Sequence, residues 1–258
     1  MNFESILKIA LNNGPMFLRG AGMTLFISII GTVVGSVIGL LTGVVRTISI
    51  SENGVKKIIF KLINIIFSIY IEVFRGTPMI VQAMVIYYGS AAAFGVDMNR
   101  IFAAIFIVSI NTGAYMSEII RGGIISIDKG QFEAAEAIGM NHIQTMVYVI
   151  LPQAIRNILP ALGNEFIINI KDTSVLNVIS VTELYFQTKS VAGNNFKYYE
   201  SFFIACTLYL IMTFTITRIL RFIERRLEGP ENYVKYTGEI QVEGTIIGKR
   251  KECNVNQY

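Results

Sequence analysis

Five polar or charged side chains lie close together in an otherwise apolar stretch around residue 165. At 3.6 residues per turn, they fall within an arc of about 160° on one side of a helix. A carboxylate accepts hydrogen bonds from cationic groups, and amides both donate and accept, so this face is suited to binding a polar or charged solute. The members of this polar arc are Asn164, Glu165, Asn169, Lys171 and Asp172.

A second and weaker polar stripe lies earlier in the chain, where Asn111, Tyr115 and Glu118 follow the spacing i, i+4, i+7 of one helix face. Two polar stripes on neighbouring helices favour a pathway for a polar solute. Structural pairing is the alternative, for example between Lys171 and Asp172 or between Glu118 and a neighbouring arginine. Lys171 and Asp172 fit that structural alternative best.

The composition indicates which elements carry these stripes. Hydrophobic residues make up 53% of the 258 residues and charged residues only 16%, with a mean hydropathy of +0.55. A soluble domain has about 25% charged residues, so a membrane protein is expected and nucleic acid is not an expected partner. Cys206 and Cys253 cannot form a disulfide framework, and the single His142 excludes a histidine-rich metal site, so no metal is expected.

Apolar runs predict an all-α fold with five membrane-spanning helices. The first run, from Gly20 to Val45, has no charge and is long enough at ~1.5 Å per residue to cross a ~30 Å hydrocarbon core. The fourth run carries the polar arc, and three charges at mid-bilayer cost roughly 7–10 kcal/mol on insertion. That face is therefore expected to turn towards protein or a water-filled cavity. The other predicted spans are residues 76–96, 101–117, 151–180 and 201–217.

The distribution of lysine and arginine predicts the orientation, because basic residues concentrate in cytoplasmic loops. Basic residues are denser between spans one and two, after span three and after span five. The N-terminus is therefore expected outside, with the loop after span three and the C-terminus in the cytoplasm. The residues on the predicted cytoplasmic side are Arg46, Lys56, Lys57, Lys61, Arg121, Lys129, Arg218, Arg221, Arg225 and Arg226.

The chain is predicted to divide into an interfacial N-terminal segment (1–15), a transmembrane domain (16–228) and a polar cytoplasmic tail (229–258). Residues 55–74 contain several charges and predict a surface helix leading into span two. Pro152 and Pro160 predict a fourth span that is kinked or begins in stages. A glycine every fourth residue of span one predicts a close packing face, with the partner left open: Gly31, Gly35, Gly39 and Gly43.

The loop after span three, about residues 122–150, has more local order than a passive connection needs. Asp128 with Gln131, and Asn141 with Gln144, have the spacing of helix-start capping boxes. Gly139 suits the left-handed position that ends a helix. Two short helices are therefore predicted here, and they favour a docking surface for a cytoplasmic partner.

At this point the sequence resembles a known family. Residues 133–152, with Glu133-Ala134-Ala135, Gly139 and Val149-x-Leu151-Pro152, are similar to the EAA loop in membrane subunits of ATP-binding-cassette importers. Val149 replaces the usual isoleucine. Further stretches resemble the polar-amino-acid branch of that family, and the similarity runs from about residue 16 to 228. These stretches are residues 72–82, 113–123, 151–167 and 171–174.

The resemblance implies a permease subunit with a type I importer fold in the cytoplasmic membrane of a prokaryote. The loop helix would dock into an ATPase subunit through Glu133, Ala134, Ala135 and Gly139 and would couple nucleotide-driven closure to the spans. No phosphate-binding Gly-x4-Gly-Lys-Ser/Thr loop occurs in the chain. ATP and Mg²⁺ would therefore be held by the ATPase, and this chain would be a transport subunit with no cofactor and no enzymatic activity. Two membrane subunits, identical or sibling, would pair with two ATPases and receive ligand from an external amino-acid-binding protein.

The resemblance also implies a polar amino acid as the cargo. Glu165 is the best acceptor for its ammonium group and favours a basic amino acid, with Asn169, Asn111 and Tyr115 as further contacts. Arg75 and Glu72, one turn earlier, are expected to form a structural ion pair or a gate hinge. The residues assigned to structural or gating roles are Glu72, Arg75, Pro78, Pro160, Lys171 and Asp172.

Three other classes of protein compete with this interpretation. The first alternative is an ion-coupled secondary amino-acid transporter that uses Glu165, Asp172 and Glu118 as a relay. A small channel and a membrane enzyme are weaker alternatives. The enzyme is the weakest because no nucleophile, base and oxyanion donor converge.

Overall fold

The computed structural model describes residues 3–47 and 54–227, and within these ranges the fold is all-helical. The predicted tail, residues 229–258, lies outside the described residues. A π-helical stretch (Thr145–Ile150) precedes α7, and a 3₁₀ stretch (Thr173–Ile179) follows it. The helices are α1 (Phe3–Val45), α2 (Gly54–Gly76), α3 (Met79–Phe94), α4 (Arg100–Ile125), α5 (Lys129–Ala137), α6 (His142–Gln144), α7 (Leu151–Asp172), α8 (Leu184–Asn195) and α9 (Tyr198–Leu227).

Among the described helices, four segments are long and apolar enough to cross a membrane: Phe3–Val45, Arg100–Ile125, His142–Ile179 and Tyr198–Arg226. The shorter helix Met79–Phe94 is also apolar. The all-helical membrane fold is confirmed, while the count of five spans and the orientation of the termini stay predictions.

Helix α1 is a single helix of 43 residues that continues through Pro15. The predicted boundary between residues 15 and 16 is therefore not a helix end, and the interfacial position of the first turns stays a prediction. Proline removes one backbone donor but does not end this helix, because both sides of it are packed. Ile6, Ile9 and Phe17 form a buried cluster with residues of α8 and α9.

The glycine face of α1 packs directly on α4, which confirms the predicted packing face and identifies its partner. Cβ atoms built on Gly35 and Gly43 would come within 2.9 Å or less of α4 atoms. The backbones of α1 and α4 can approach closely only because these positions lack side chains. This contact forms the centre of the described fold.

The start of α7 is staged, as its prolines predict. The short α6 and the π-helical stretch lead into Leu151, and Pro152 lies in the first turn, where its missing N–H is tolerated. Pro160 lies inside α7, which continues to Asp172.

A buried carboxyl group anchors the short helix α8. The Glu183 side chain is fully buried and accepts hydrogen bonds from the backbone N–H groups of Tyr185 (2.8 Å) and Phe186 (2.7 Å) and from the Tyr209 hydroxyl (3.1 Å). Thr24 of α1 accepts from the backbone N–H of Leu184 at 3.2 Å. Helices α1, α8 and α9 therefore meet at one helix cap.

Candidate functional site

The polar arc of α7 divides into two edges. Glu165 and Asn169 are 7% and 3% exposed and lie inside the bundle, whereas Asn164, Lys171 and Asp172 are exposed on the surface of the chain. An arc of about 160° is wider than the strip that one helix buries against its neighbours. The sequence predicts that the whole arc is shielded from lipid. Within this chain, only Glu165 and Asn169 are buried in this way.

Asn169 ties three helices together. Its side-chain Nδ2 donates to Thr32 Oγ1 of α1 at 2.8 Å and to Thr112 Oγ1 of α4 at 2.9 Å. All three residues are buried. A direct contact between Asn169 and a transported molecule stays a prediction, and in this structure the amide is occupied by protein groups.

Glu165 lies one turn before Asn169 and is almost completely buried. No hydrogen bond or ion pair joins its carboxyl group to another described residue. A buried carboxyl group without a partner is costly, so such groups mark functional positions in membrane segments. Its proposed role as an acceptor stays a prediction.

The residues of the α4 stripe serve three different contacts. Asn111 Nδ2 donates to Gln82 Oε1 at 2.8 Å, and the Tyr115 ring lies 5.5 Å from the Arg75 guanidinium carbon. Glu118 forms ion pairs with two arginines, Arg46 and Arg121. The structural alternative is therefore confirmed for Glu118.

The other predicted pairings are not found among the described residues. Lys171 and Asp172 form no ion pair with each other, and both side chains are exposed. Glu72 and Arg75, also considered as an ion pair, do not form one, because the Arg75 guanidinium lies over Tyr115 instead. Pro78 lies at the break between α2 and α3.

The structure contains a groove between α7 and α9 that was not predicted from the sequence. It has a volume of about 370 Å³ and carries three cationic side chains, Lys171, Arg218 and Arg221. The arginines were interpreted only as charges that set the membrane orientation. Helical spacing alone could have placed Arg218 and Arg221 on one face of α9, but the approach of Lys171 depends on tertiary packing. The other lining residues are Ile167, Leu210, Thr213, Phe214 and Thr217.

The loop between α4 and α7 contains the predicted short helices. The Asp128 side chain accepts from Gly130 N at 2.7 Å and caps α5. Gly139 has φ +82°, the left-handed conformation that ends this helix. Asn141 and Gln144 form a reciprocal capping box at 2.9 Å in both directions. The helix starts at Asp128 and Asn141 and the stop at Gly139 are confirmed. The reciprocal capping box of Asp128 with Gln131 is not found, because Gln131 Oε1 accepts from Gln153 Nε2 at 3.3 Å instead.

Helix α5 presents one face outward. Ala135 is 3% exposed and packs on the chain, whereas Glu133 and Ala134 are exposed. Residues two positions apart on a helix are separated by about 200° around its axis. Glu133 therefore points away from the side of α5 that buries Ala135. Large apolar side chains on both sides of Gly139 are exposed as well: Ile138 before it, and Ile143, Val147 and Tyr148 after it. Exposed apolar clusters of this kind mark interaction surfaces.

The comparison with known proteins identifies the family. Residues 57–229 match the family described as "Binding-protein-dependent transport system inner membrane component". The chain belongs to this family. It is a transport subunit and not an enzyme, because members of this family form the membrane component of transport systems.

Curated relatives of this family member are amino-acid permeases. The glutamine transport system permease protein GlnP of Escherichia coli (strain K12) is 42% identical over 215 residues, covering 83% of this chain and 94% of the relative. The arginine transport system permease protein ArtQ of Bacillus subtilis (strain 168) is 36% identical over 215 residues, with the same coverage of 83% and 94%.

Two solved structures of ABC transporters have a fold similar to that of this chain. A structure described as an amino acid ABC transporter with histidines has a TM-score of 0.75 and 38% identity, covering 88% of this chain and 99% of that one. An inward-facing structure of the MetNI methionine ABC transporter has a TM-score of 0.70 at 18% identity, covering 84% and 99%. The second likeness concerns the fold alone.

Proposed function

We propose that this chain is the permease subunit of an ATP-driven importer that moves a polar amino acid across the cytoplasmic membrane of a prokaryote. The proposal rests above all on the outward surface of α5, which projects from a bundle of membrane-spanning helices within a family of transport subunits. Such a surface needs a partner, and the chain has no phosphate-binding loop of its own. The energy would come from ATP and Mg²⁺ on a separate ATPase.

The coupling surface consists of Glu133, Ala134 and Gly139, with Ala135 anchoring it from beneath. The small side chain of Ala134 permits close approach of a groove on the ATPase, and Glu133 offers an acceptor to donors there. Gly139 turns the chain sharply into the second capped segment. Movement of α5 would then pass into α7 through the π-helical stretch, against which α5 packs.

The transported molecule would pass along the polar arc of α7. Lys171 and Asp172 are exposed on α7 and cannot face lipid without a large cost, so we assign them to an interface with a second permease subunit. Two subunits facing each other would enclose a hydrated site near mid-membrane, which opens alternately to each side. An external amino-acid-binding protein would deliver the ligand.

The cargo class follows from the relatives and from the charges. The relatives are named for glutamine and arginine, both of which carry an α-ammonium and an α-carboxylate group. We propose that Glu165 accepts the ammonium group, with the half-buried Tyr115 of the α4 stripe as a further contact, and that a basic amino acid is favoured. Asn111 and Asn169 would contribute by holding the helices that surround this site.

The test is uptake by the complete complex in proteoliposomes. The chain is reconstituted with its ATPase subunits and binding protein, and uptake of each of the twenty amino acids is measured with internal or external ATP. ATP-dependent accumulation of one or a few polar amino acids supports the proposal. Uptake that ignores ATP and collapses with an ionophore would instead establish ion-coupled secondary transport.

A further inference from the structure

Helices α2 and α3 follow each other along the chain as one interrupted helical segment, broken at Thr77 and Pro78. Pro78 has an extended backbone (φ −66°, ψ 136°) and no N–H group. The carbonyl oxygen of Phe74, four residues earlier, therefore has no intrahelical donor. In a membrane protein such a carbonyl must find another partner, because neither lipid nor an adjacent strand supplies one.

One side chain supplies the missing donors. The Gln82 amide nitrogen lies 2.9 Å from the Phe74 carbonyl oxygen, 2.9 Å from the Thr77 carbonyl oxygen and 2.9 Å from Thr77 Oγ1. Gln82 is only 7% exposed. An amide nitrogen carries two hydrogens, so three acceptors at equal distance share two donors. The bonds can therefore exchange between acceptors while Gln82 stays at the break.

Asn111 of α4 holds the other end of the same amide. Its Nδ2 donates to Gln82 Oε1 at 2.8 Å and reaches the Phe74 carbonyl oxygen at 3.3 Å. The next residue, Thr112, bonds to Asn169 of α7. Two consecutive residues of α4 thus connect the break to α7, the helix that follows the coupling loop.

The two halves of the segment have different neighbours. Helix α2 packs mainly on α4, while α3 packs on both α4 and the 3₁₀ stretch. Arg75, in the last turn of α2, lies over the Tyr115 ring of α4. A change in the angle at the break would therefore move Arg75 along α4 while α3 keeps its contacts.

We propose that Gln82 and Asn111 are positioning residues of a pivot at this break, which sets the angle between α2 and α3 as the transporter changes state. This inference rests on the proposed function as an ATP-driven permease. Neither residue contacts the transported molecule in this role. Gln82 keeps the broken backbone satisfied in both arrangements, and Asn111 transmits the position of α4 and α7 to the break.

Transport kinetics of the reconstituted complex test the pivot. Gln82→Leu keeps the approximate size of the side chain but removes its donors, and we expect the maximal uptake rate to fall by at least ~10-fold while KM changes by less than about twofold. The double variant Gln82→Leu/Asn111→Leu is expected to be no slower than the slower single variant, because both changes disable one unit. The matched control is Ser109→Ala on α4, whose hydroxyl bonds only within its own helix, to Ile105 O at 2.6 Å.

The distance between α2 and α3 gives a second readout. If Gln82 had a purely structural role, its replacement would not alter the response of this distance to nucleotide. Nitroxide spin labels are attached at Ile69→Cys on α2 and Val85→Cys on α3, two exposed positions on either side of the break. The native cysteines are removed by Cys206→Ala and Cys253→Ala. We expect the interspin distance of the complex to change when a non-hydrolysable ATP analogue binds. In the Gln82→Leu variant we expect one broad distribution that does not respond to nucleotide.

Either of two results would overturn the pivot. The first is an interspin distance in the parent complex that does not change when nucleotide binds, and the second is a parental uptake rate in Gln82→Leu. If Gln82→Leu does not assemble with the ATPase, Asn111→Ala takes its place, since it leaves the donors at the break in position. A parental uptake rate in assembled Asn111→Ala then refutes the proposal. Failure of the parent complex to take up any amino acid with ATP would refute the proposed function instead.

Discussion

Gly35 of α1 lies directly against Thr112 of α4: a Cβ atom added to the glycine would come within 2.7 Å of the Thr112 Cβ. The same threonine bonds to Asn169 of α7 through its hydroxyl group. The close approach of α1 and α4 therefore also sets the position of the polar cluster that joins α7 to both helices. The contact between Gly35 and Thr112 therefore determines both the packing of α1 on α4 and the position of Asn169.

Replacement of Gly35 tests this packing. Gly35→Ala is expected to force α1 and α4 apart and to lower the free energy of unfolding by about 1–3 kcal/mol, since the added methyl group meets backbone and Cβ atoms that cannot move aside. Thermal unfolding of the purified protein in detergent gives the measurement. The matched control is Gly22→Ala in the same helix, where nothing lies within 4 Å. Helix propensity predicts a gain of up to about 1 kcal/mol there. Equal losses in both variants would contradict the close-packing explanation.

Local signals were predictable from the sequence, and their partners were not. The capping box of Asn141 and Gln144 and the left-handed Gly139 depend on residues within a few positions of each other, and both are found. The glycine face of α1 was predicted, but its partner α4 begins more than fifty residues later and is chosen by packing of the whole bundle. The same reason explains why the groove of Lys171, Arg218 and Arg221 was missed.

The polar residues show a second limit of sequence reasoning. Periodicity placed Asn111 and Asn169 on inward faces, and both are buried. Periodicity cannot show whether an inward-facing amide binds a solute or another side chain, because an amide can form hydrogen bonds in both environments. In the structure Asn111 meets Gln82 and Asn169 meets two threonines. The role of Gln82 itself was not predicted, although the preceding Gly-Thr-Pro sequence marks a helix break.

The buried Glu183 predicts a dependence of stability on pH. Burial raises the pKa of this carboxyl group to about 7, although the backbone N–H groups of Tyr185 and Phe186 and the Tyr209 hydroxyl oppose the rise. The folded protein therefore holds the proton more tightly than the unfolded chain, whose pKa is about 4.5. The resulting stabilisation is complete below about pH 4.5, falls as the pH rises towards 7 and is absent above that range, with an upper limit of about 3 kcal/mol.

Thermal unfolding at pH 5 and pH 8 measures this effect. Glu183→Gln is expected to remove the part of the pH dependence that lies between these values, because the amide stays neutral throughout. The matched control is Glu200→Gln, a change of the same chemistry at a half-buried position in the first turn of α9. An unaltered difference between the two pH values in Glu183→Gln would show that the carboxyl group titrates alike in the folded and unfolded chain.

The coupling surface predicts that Glu133→Arg separates the chain from its ATPase. The substitution reverses a charge on the outward face of α5, on the side opposite the buried Ala135, so the membrane fold should be unaffected. We expect loss of co-purification with the ATPase subunits, or loss of at least about 90% of the ATP-dependent uptake if the complex still forms. The matched control is Glu4→Arg, the same reversal at an exposed position in the first turn of α1. Normal assembly and uptake in Glu133→Arg would refute the docking role.

The last prediction concerns Glu165, which is 7% exposed and whose carboxyl group has no partner among the described residues. If it accepts the ammonium group of the cargo, Glu165→Gln removes a charge-assisted hydrogen bond and should raise KM for uptake by about 10- to 100-fold. Assembly with the ATPase should survive, because Glu165 is remote from α5 along the chain and the amide has nearly the same shape. Glu200→Gln, the same chemical change at a half-buried position in the first turn of α9, is the control and should leave KM unchanged. A purely structural carboxyl group would behave differently: Glu165→Gln would then change the melting temperature of the complex but leave KM at the parental value, and Glu165 would no longer belong to the binding site.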